Sequence, residues 1–322
     1  MQTGPRILKS RMIRILATGF AGLLGLAFGS FLNVCVSRWP AGESVVTPRS
    51  HCRACARTLA WWENVPLLSW IVLRGRCRGC AAPISWRYPL VELAVGALWA
   101  IDAWQGFREN PLTPGPLKYA LQGAHHHPMV PILAVAGQAL FGWWMVALAA
   151  LDAENLWLPN RLTISGMFLG LGFSIFGIYE ASWHTTVISD CCFVPKFDRT
   201  LFIAFSLATL ASIFVAAGLV LLLRWLYGMI RHREGMGLGD VKLMALLAAW
   251  LGLPGTLLAF LIGTLLGAIA GIVVILVPSR REDPADWKTT RLPFGTFLCI
   301  GGLIASLWGQ PIISAYLHWV GF

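Results

Sequence analysis

The sequence contains repeated apolar stretches, most of them close to the roughly 20 residues that an α-helix needs to cross a lipid bilayer. Eight such stretches can be placed along the 322 residues. They cover residues 13–36, 88–105, 131–151, 161–180, 201–228, 241–252, 254–277 and 293–319. Only 12% of the residues are charged, whereas ordinary soluble domains carry about 25%. The chain is therefore predicted to be an all-α, polytopic membrane protein with about eight transmembrane helices.

Lys and Arg are distributed unequally between the two sides of the predicted membrane. When the 37–88 loop and every second loop after it are placed on one side, that side holds 17 of the 25 basic residues. Cytoplasmic loops of membrane proteins collect Lys and Arg, so this side is predicted to be cytoplasmic. The same rule accounts for the net charge of +10. Nucleic-acid binding is not expected, because no soluble basic domain is long enough to carry it.

The 37–88 loop carries two Cys-x-x-Cys pairs, Cys52 with Cys55 and Cys77 with Cys80. Two such pairs, here separated by 21 residues, are typical of a zinc site in which two knuckles hold one tetrahedral ion. Four thiolates leave no open coordination position, so the zinc is predicted to be structural. Two disulfides or two redox pairs are the alternatives, and a cytoplasmic location disfavours disulfides.

Two further groups of possible metal ligands lie on the opposite side of the predicted membrane. They are the histidine triplet His125–His127 and the adjacent cysteines Cys191 and Cys192. A histidine triplet can bind metal, but no cluster of carboxylates or cysteines accompanies this one. Neither group is predicted to be a metal site.

Two aspartates lie at the cytoplasmic ends of predicted helices, where each carboxylate is a candidate functional group. Asp152 ends the third apolar stretch, and Asp240 opens the sixth. Structural roles are available to both, since Asp240 can cap a helix and Asp152 can be a solvated helix end. The alternate glycines Gly235, Gly237 and Gly239 exceed what a cap requires. They indicate a backbone that is mobile or adopts positive φ and that another chain can approach closely.

Two neighbouring aspartates can hydrolyse a peptide bond without a metal or a covalent intermediate. They share one proton, because two close carboxylates do not both ionise readily. The ionised carboxylate takes a proton from water, while the protonated carboxyl group donates a hydrogen bond to the scissile carbonyl. The pair titrates as a unit, so neither aspartate is assigned a fixed role.

Motifs along nearly the whole chain resemble those of the prepilin peptidases, which are also called type IV leader peptidases and are GxGD aspartic membrane proteases. The matching segments are 29–34, 48–55, 63–70, 73–80, 84–92, Asp152 with Leu158 and Pro159, and 237–242. One GxGD motif would be weak, whereas all of these segments in order are specific. The resemblance implies that Asp152 and Asp240 are catalytic. Gly237, Gly239 and Lys242 are predicted to bind the extended substrate.

The resemblance also implies a substrate and a second activity. Family members remove the short basic leader of type IV prepilins and type II secretion pseudopilins, after a glycine, on the cytoplasmic side of the bacterial inner membrane. Many then methylate the new N-terminal residue with S-adenosylmethionine, and these members carry the four-cysteine region. No glycine-rich methyltransferase loop is visible here. The candidate methyltransferase residues lie within or beside the four-cysteine region and are Glu63, Arg74, Glu92 and Gly96.

The predicted organisation has three parts. They are a first transmembrane helix at 1–36, a cytoplasmic zinc lobe and methyltransferase region at 37–88, and a membrane aspartic peptidase domain at 89–322. The expected partners are prepilins and pseudopilins as substrates, and membrane lipid. Three alternatives stay open: a peptidase without methyltransferase activity, a non-catalytic membrane scaffold, and a transporter that uses the two aspartates as a proton relay.

Overall fold

The computed structural model describes residues 4–106, 129–189, 192–231, 237–276 and 292–321. Within them the chain forms eight α-helices and one pair of antiparallel strands. The helices are α1 Gly4–Arg38, α2 Leu68–Val72, α3 Arg87–Gly106, α4 Met129–Asn155, α5 Asn160–Ala181, α6 Arg199–Arg231, α7 Leu238–Leu276 and α8 Phe294–Val320. The strands are β1 Trp183–Ser189 and β2 Cys192–Phe197. The His125–His127 triplet and Cys191 lie outside the described residues.

Six of the helices in the described part of the chain are long and apolar enough to cross a membrane. They are α1, α4, α5, α6, α7 and α8. Helix α3 is 20 residues long and carries two acidic residues, Glu92 and Asp102, which are both buried. The prediction of an all-α, polytopic membrane protein is confirmed. The strand pair in the 181–200 loop was not predicted.

The predicted sixth and seventh stretches, 241–252 and 254–277, belong to one helix, the 39-residue α7. This helix is interrupted at Gly252, whose φ of 67° and ψ of 178° are not helical. Glycine takes such a positive φ at little cost, and Pro254 follows it inside the helix. The two stretches are therefore the two arms of one bent helix. Together with α3 and the other five spans, they account for all eight apolar stretches.

The chain divides into two compact units. The first comprises Met1–Glu109 and Gln138–Ala150, and it contains α1, the loop with α2, and α3. Helices α1 and α3 pack through glycines. A Cβ atom at Gly29 would lie 2.7 Å from the Cα atom of Glu92, and one at Gly25 would lie 2.8 Å from the carbonyl oxygen of Val95. The two helix backbones can approach this closely only because these α1 positions lack a side chain.

The second unit comprises Asn110–Gly137 and Leu151–Phe322. Within it, α7 packs against α5, α6 and α8. The first arm of α7 is almost entirely buried, and Leu243, Met244, Leu246 and Leu247 have no exposed surface. Trp250, near the bend, donates a hydrogen bond from Nε1 to the carbonyl oxygen of Gly166 on α5 at 2.9 Å. The helix that begins with the Asp240 motif is thus the core of this unit.

The glycine contacts between α1 and α3 predict a difference between two alanine substitutions on the same helix. Gly29→Ala is expected to lower the melting temperature of the detergent-solubilised protein, because its Cβ would overlap the α3 backbone and overpacking costs about 1–3 kcal/mol. Gly19→Ala is the matched control, since nothing lies within 4 Å of a Cβ atom there. Thermal unfolding measures both. Equal melting temperatures would contradict the close packing of α1 and α3.

Candidate active site and four-cysteine cluster

Asp152 lies in the last turn of α4 and is only 6% exposed. Its Oδ2 atom accepts two hydrogen bonds from Thr296, one from the backbone N–H at 2.7 Å and one from the hydroxyl at 3.1 Å. Thr296 lies in the first turn of α8, where backbone N–H groups have no partner within the helix. The start of α8 therefore fixes one oxygen of the Asp152 carboxylate.

Gly295 makes this contact possible. A Cβ atom at this position would lie 2.9 Å from Oδ2 of Asp152 and 3.0 Å from Cδ1 of Leu158. A side chain there would push the carboxylate away from Thr296. The sequence analysis missed both Gly295 and Thr296. Their only signal is a Pro-Phe-Gly-Thr start to the last apolar stretch, which indicates a helix beginning and not a partner for an aspartate 144 residues earlier.

Asp240 lies in the first turn of α7. Its Oδ2 atom accepts a hydrogen bond from the backbone N–H of Gly237 at 3.3 Å. Asp240 is the third residue of α7, and its carboxylate reaches back to Gly237, the residue that precedes the helix. The acidic member of a capping box makes the same contact. The N-cap position considered from the sequence belongs to Gly237 instead.

The structure brings Asp152 and Asp240 close enough for their carboxylates to interact electrostatically. Cys299, one turn after Thr296 on α8, is fully buried and within electrostatic range of both. Each aspartate is held at the N-terminus of a helix, Asp152 at that of α8 and Asp240 at that of its own helix α7. The arrangement thus holds two carboxyl groups in fixed orientations and within electrostatic range of each other.

The predicted substrate-binding glycines differ in their surroundings. Gly239 is part of α7 and does not have positive φ, which was one of the two backbone properties expected from the alternate glycines. A Cβ atom there would lie 3.1 Å from Cδ1 of Leu158. Gly237 is exposed, and a Cβ there would meet no atom closer than 3.7 Å. Gly235 lies outside the described residues. Space for another chain is thus available beside Gly237, whereas Leu158 fills the space beside Gly239.

Lys242 contacts another part of the same unit. Its Nζ atom donates a hydrogen bond to Oδ1 of Asn160, the first residue of α5, at 2.6 Å. This contact ties the start of α5 to the start of α7. Lys242 therefore fixes two helix ends relative to each other, and its role in substrate binding stays a prediction.

The four cysteines of the first unit form one cluster. Their sulfur atoms all lie within 4.8 Å of one another, and those of Cys52 and Cys80 are 3.8 Å apart. Four thiolates about 2.3 Å from a tetrahedral zinc would be separated by about 3.8 Å, whereas a disulfide requires about 2.0 Å. All four are free thiols. The cluster could bind zinc, and the disulfide alternative is wrong in this structure.

The two cysteine pairs have the same backbone conformation. In each, the first cysteine exchanges hydrogen bonds with the residues that follow the second: Cys52 with Ala56 and Arg57, and Cys77 with Ala81 and Ala82. Ala56 and Ala81 both have positive φ, 54° and 58°. Backbone N–H groups of Cys80 and Gly79 lower the pKa of Cys77 to about 6, which favours the thiolate that binds metal. The pKa of Cys80 is instead raised to about 11: the backbone N–H of Ala82 lowers it, but the neighbouring thiols, Cys55 first, outweigh this effect.

Glu63, the first candidate methyltransferase residue, has a structural role in the lobe. It is buried and accepts a hydrogen bond from the backbone N–H of Ala60 at 2.8 Å. Both of its carboxylate oxygens also accept from Arg57, at 3.0 and 2.8 Å. The Ala60 N–H, followed by Arg57, lowers the pKa of Glu63. Its contacts thus stabilise the lobe beside the first knuckle.

Two other candidates also have structural explanations. Glu92 accepts a hydrogen bond from the backbone N–H of Leu67 at 2.8 Å, which ties α3 to the lobe. At Gly96, a Cβ atom would lie 2.6 Å from Cδ2 of Leu26 on α1. Arg74 differs, because its side chain is exposed on the lobe surface.

The fold and the two clusters define a class of protein: a polytopic α-helical membrane protein with a paired-aspartate site and a four-thiol cluster. Two family models match this chain, the bacterial Peptidase A24 N-terminal domain over residues 23–106 and the type IV leader peptidase family over residues 139–272. Between them they include both aspartates and all four cysteines.

Curated relatives match over almost their whole length. A prepilin leader peptidase/N-methyltransferase of Pseudomonas aeruginosa is 32% identical, with 93% of each chain covered. Proteins of the same name from Xanthomonas campestris and Aeromonas salmonicida are 30% and 33% identical, with 92% of this chain covered in each case and 93% and 92% of the relative. No solved structure gives a significant match. The chain belongs to the type IV leader peptidase family, which confirms the resemblance seen in the sequence.

Proposed function

We propose that this protein removes the leader peptides of type IV prepilins and N-methylates the new N-terminal residue. The observation that carries the peptidase half is the pairing of Asp152 with Asp240, each held at a helix N-terminus, in a chain of the leader peptidase family. The methyltransferase activity is supported by the relatives, which are prepilin leader peptidase/N-methyltransferases, and by the family model that matches the four-cysteine region. Type II secretion pseudopilins are proposed as further substrates.

Catalysis would use the two aspartates as one acid–base unit. The ionised carboxylate takes a proton from water, the water oxygen attacks the scissile carbonyl carbon, and the protonated carboxyl group donates to the carbonyl oxygen. Collapse of the tetrahedral intermediate then breaks the C–N bond, and the leaving nitrogen is protonated from the pair. Thr296 fixes the carboxylate of Asp152 for this exchange through its two hydrogen bonds.

The location proposed for these reactions is the cytoplasmic face of the bacterial inner membrane. The excess of Lys and Arg on the side of the 37–88 loop supports it. The four cysteines are proposed to hold one structural zinc ion, which would supply folding energy to the lobe and no chemistry to the reaction.

The division into 1–36, 37–88 and 89–322 is retained as part of the proposal, with methyl transfer assigned to the 37–88 region. Arg74 is the candidate whose exposed side chain is available to a ligand such as S-adenosylmethionine. Substitution of Glu63, Glu92 or Gly96 would disturb helix or lobe packing. If a variant at one of those three positions loses methylation, its folding must therefore be measured as well.

Substituting either aspartate tests the peptidase. Asp152→Asn and Asp240→Asn are each expected to reduce prepilin cleavage by at least about 10²–10⁴-fold, because each removes one half of the acid–base pair. Asp198→Asn is the matched control, since Asp198 only caps α6 through the backbone N–H groups of Thr200 and Leu201, and Asn caps equally well. Cleavage of a purified prepilin is read by mass spectrometry. Normal cleavage by either site variant would refute the mechanism.

Thr296 is expected to act on turnover and not on substrate affinity. Thr296→Val keeps the shape of the side chain and the backbone N–H bond but removes the hydroxyl bond to Asp152. The kcat value should fall about 10- to 100-fold with KM nearly unchanged, since a hydrogen bond to a charged group contributes about 1.5–3 kcal/mol. Thr296→Ser should restore kcat. An equally slow Thr296→Ser variant would show that packing, and not the hydroxyl, is required.

The zinc proposal predicts one zinc ion per chain in the purified protein. Cys77→Ser is expected to lose this zinc, because Ser cannot replace a thiolate in a closed four-sulfur site, and to lose methylation more than cleavage. Cys35→Ser, a buried cysteine on α1 outside the cluster, should keep it. Metal analysis by mass spectrometry measures the zinc content. Retention of zinc by the Cys77→Ser variant would contradict the proposed site.

A further inference from the structure

The four-cysteine lobe exposes an apolar surface that neither the aspartates nor the cysteines explain. Leu68, Ile71 and Val72 of α2 and Trp86, the residue before α3, are between 62% and 73% exposed. Trp70 joins them, because its ring lies 4.2 Å from that of Trp86 between centroids. Contiguous exposed apolar residues of this kind mark an interaction surface. We call Leu68, Ile71, Val72 and Trp86 the α2 patch.

The α2 patch continues into a stripe along α3. Between residues 86 and 106, the exposed residues are Trp86, Leu90, Leu93, Ala97 and Trp104. Their spacings of four, three, four and seven residues place all five on one face of the helix. Every one of them is apolar, while the acidic residues Glu92 and Asp102 are buried. This face of α3 has the composition of a lipid-facing surface.

The separation between Trp86 and Trp104 can be compared with the thickness of a bilayer. Trp86 and Trp104 are 18 positions apart, which corresponds to about 27 Å along an α-helix and nearly spans a hydrocarbon core of about 30 Å. Tryptophan collects at both membrane–water interfaces. Helix α3 also packs along α1, which is itself a candidate span. This spacing predicts that Trp86 lies at the bilayer surface, and the contact of Trp70 with Trp86 predicts the same level for α2.

Charge favours a phospholipid surface as the occupant of the patch. The 37–88 segment contains eight arginines and only two glutamates. Arg74 and Arg76 follow α2 directly and are exposed. Basic side chains beside exposed Leu, Ile and Trp are typical of segments that lie in the interface of an anionic membrane. A basic prepilin leader would meet like charge there.

We propose that α2 and Trp86 insert into the headgroup region of an anionic bilayer leaflet and anchor the four-cysteine lobe flat on the membrane. The lobe is then held by a third attachment, in addition to α1 and α3. This attachment keeps the lobe at the membrane surface. If the proposed methylation holds, that is the level at which the new N-terminus of a cleaved prepilin emerges.

Photo-crosslinking from α2 tests the anchor without relying on enzyme activity. A diazirine amino acid replaces Val72 in the full-length protein, which is reconstituted in vesicles of phosphatidylethanolamine and phosphatidylglycerol. The matched probe replaces Ala54, which is exposed between Cys52 and Cys55. The Val72 probe is expected to form several-fold more phospholipid adduct than the Ala54 probe, as measured by mass spectrometry of the labelled peptides. Equal adduct at both positions would overturn the proposal.

A second variant separates insertion from loss of folding. Ile71→Glu in the Val72-probe protein should reduce the phospholipid adduct, because a carboxylate beside the probe opposes insertion and is repelled by phosphatidylglycerol. Unchanged zinc content shows that the lobe is folded, and an unchanged adduct would count against the anchor. With prepilin added, a prepilin adduct that replaces the lipid adduct at Val72 would overturn the proposal and assign the patch to substrate. An adduct to a second copy of the chain would assign it to self-association.

Discussion

The aspartate site depends on the two hydrogen bonds from Thr296 to Oδ2 of Asp152. A carboxylate buried at the end of an apolar helix is costly unless donors compensate for the lost water. The start of α8 supplies these donors, because the N–H groups of a first helical turn have no partner inside the helix. Gly295 allows the approach, and Leu158 fills the space on the other side. The end of α4 and the start of α8 are therefore fixed to each other by one acidic residue.

The second aspartate is held by a related contact at another helix start. Asp240 accepts the N–H of Gly237 at the beginning of α7, so the positive end of a helix dipole faces each of the two carboxylates. Lys242, two residues further on, bonds to Asn160 and so fixes the start of α5 beside them. Three helix beginnings and one helix end meet around the pair. A site built on rigid helix ends holds its groups in one orientation, which acid–base catalysis requires.

Local sequence patterns predicted the features that depend on local physics. Hydrophobic stretches near 20 residues indicated the spans, and the Cys-x-x-Cys spacing indicated the cluster, because each pair forms its knuckle from six consecutive residues. The partner of Asp152 could not be predicted in this way. Thr296 lies 144 residues away, and nothing in a Pro-Phe-Gly-Thr helix start specifies which carboxylate it will meet. The bend of α7 was misjudged for a different reason: Gly252 and Pro254 have the local composition of a loop between two helices, but the chain continues as one helix.

The location of the aspartates at helix ends also distinguishes the proposed peptidase from a proton-coupled transporter. Transport sites are built near the bilayer midplane, commonly where helices are broken. The break in α7 is at Gly252, twelve residues or about 18 Å along the helix from Asp240, and the sequence of α7 contains no other acidic residue. Hydrolysis, in contrast, needs water and an extended peptide bond, and both are accessible at the end of a membrane helix. The exposed Gly237 lies at that end, and the proposed function assigns the extended substrate segment to this position.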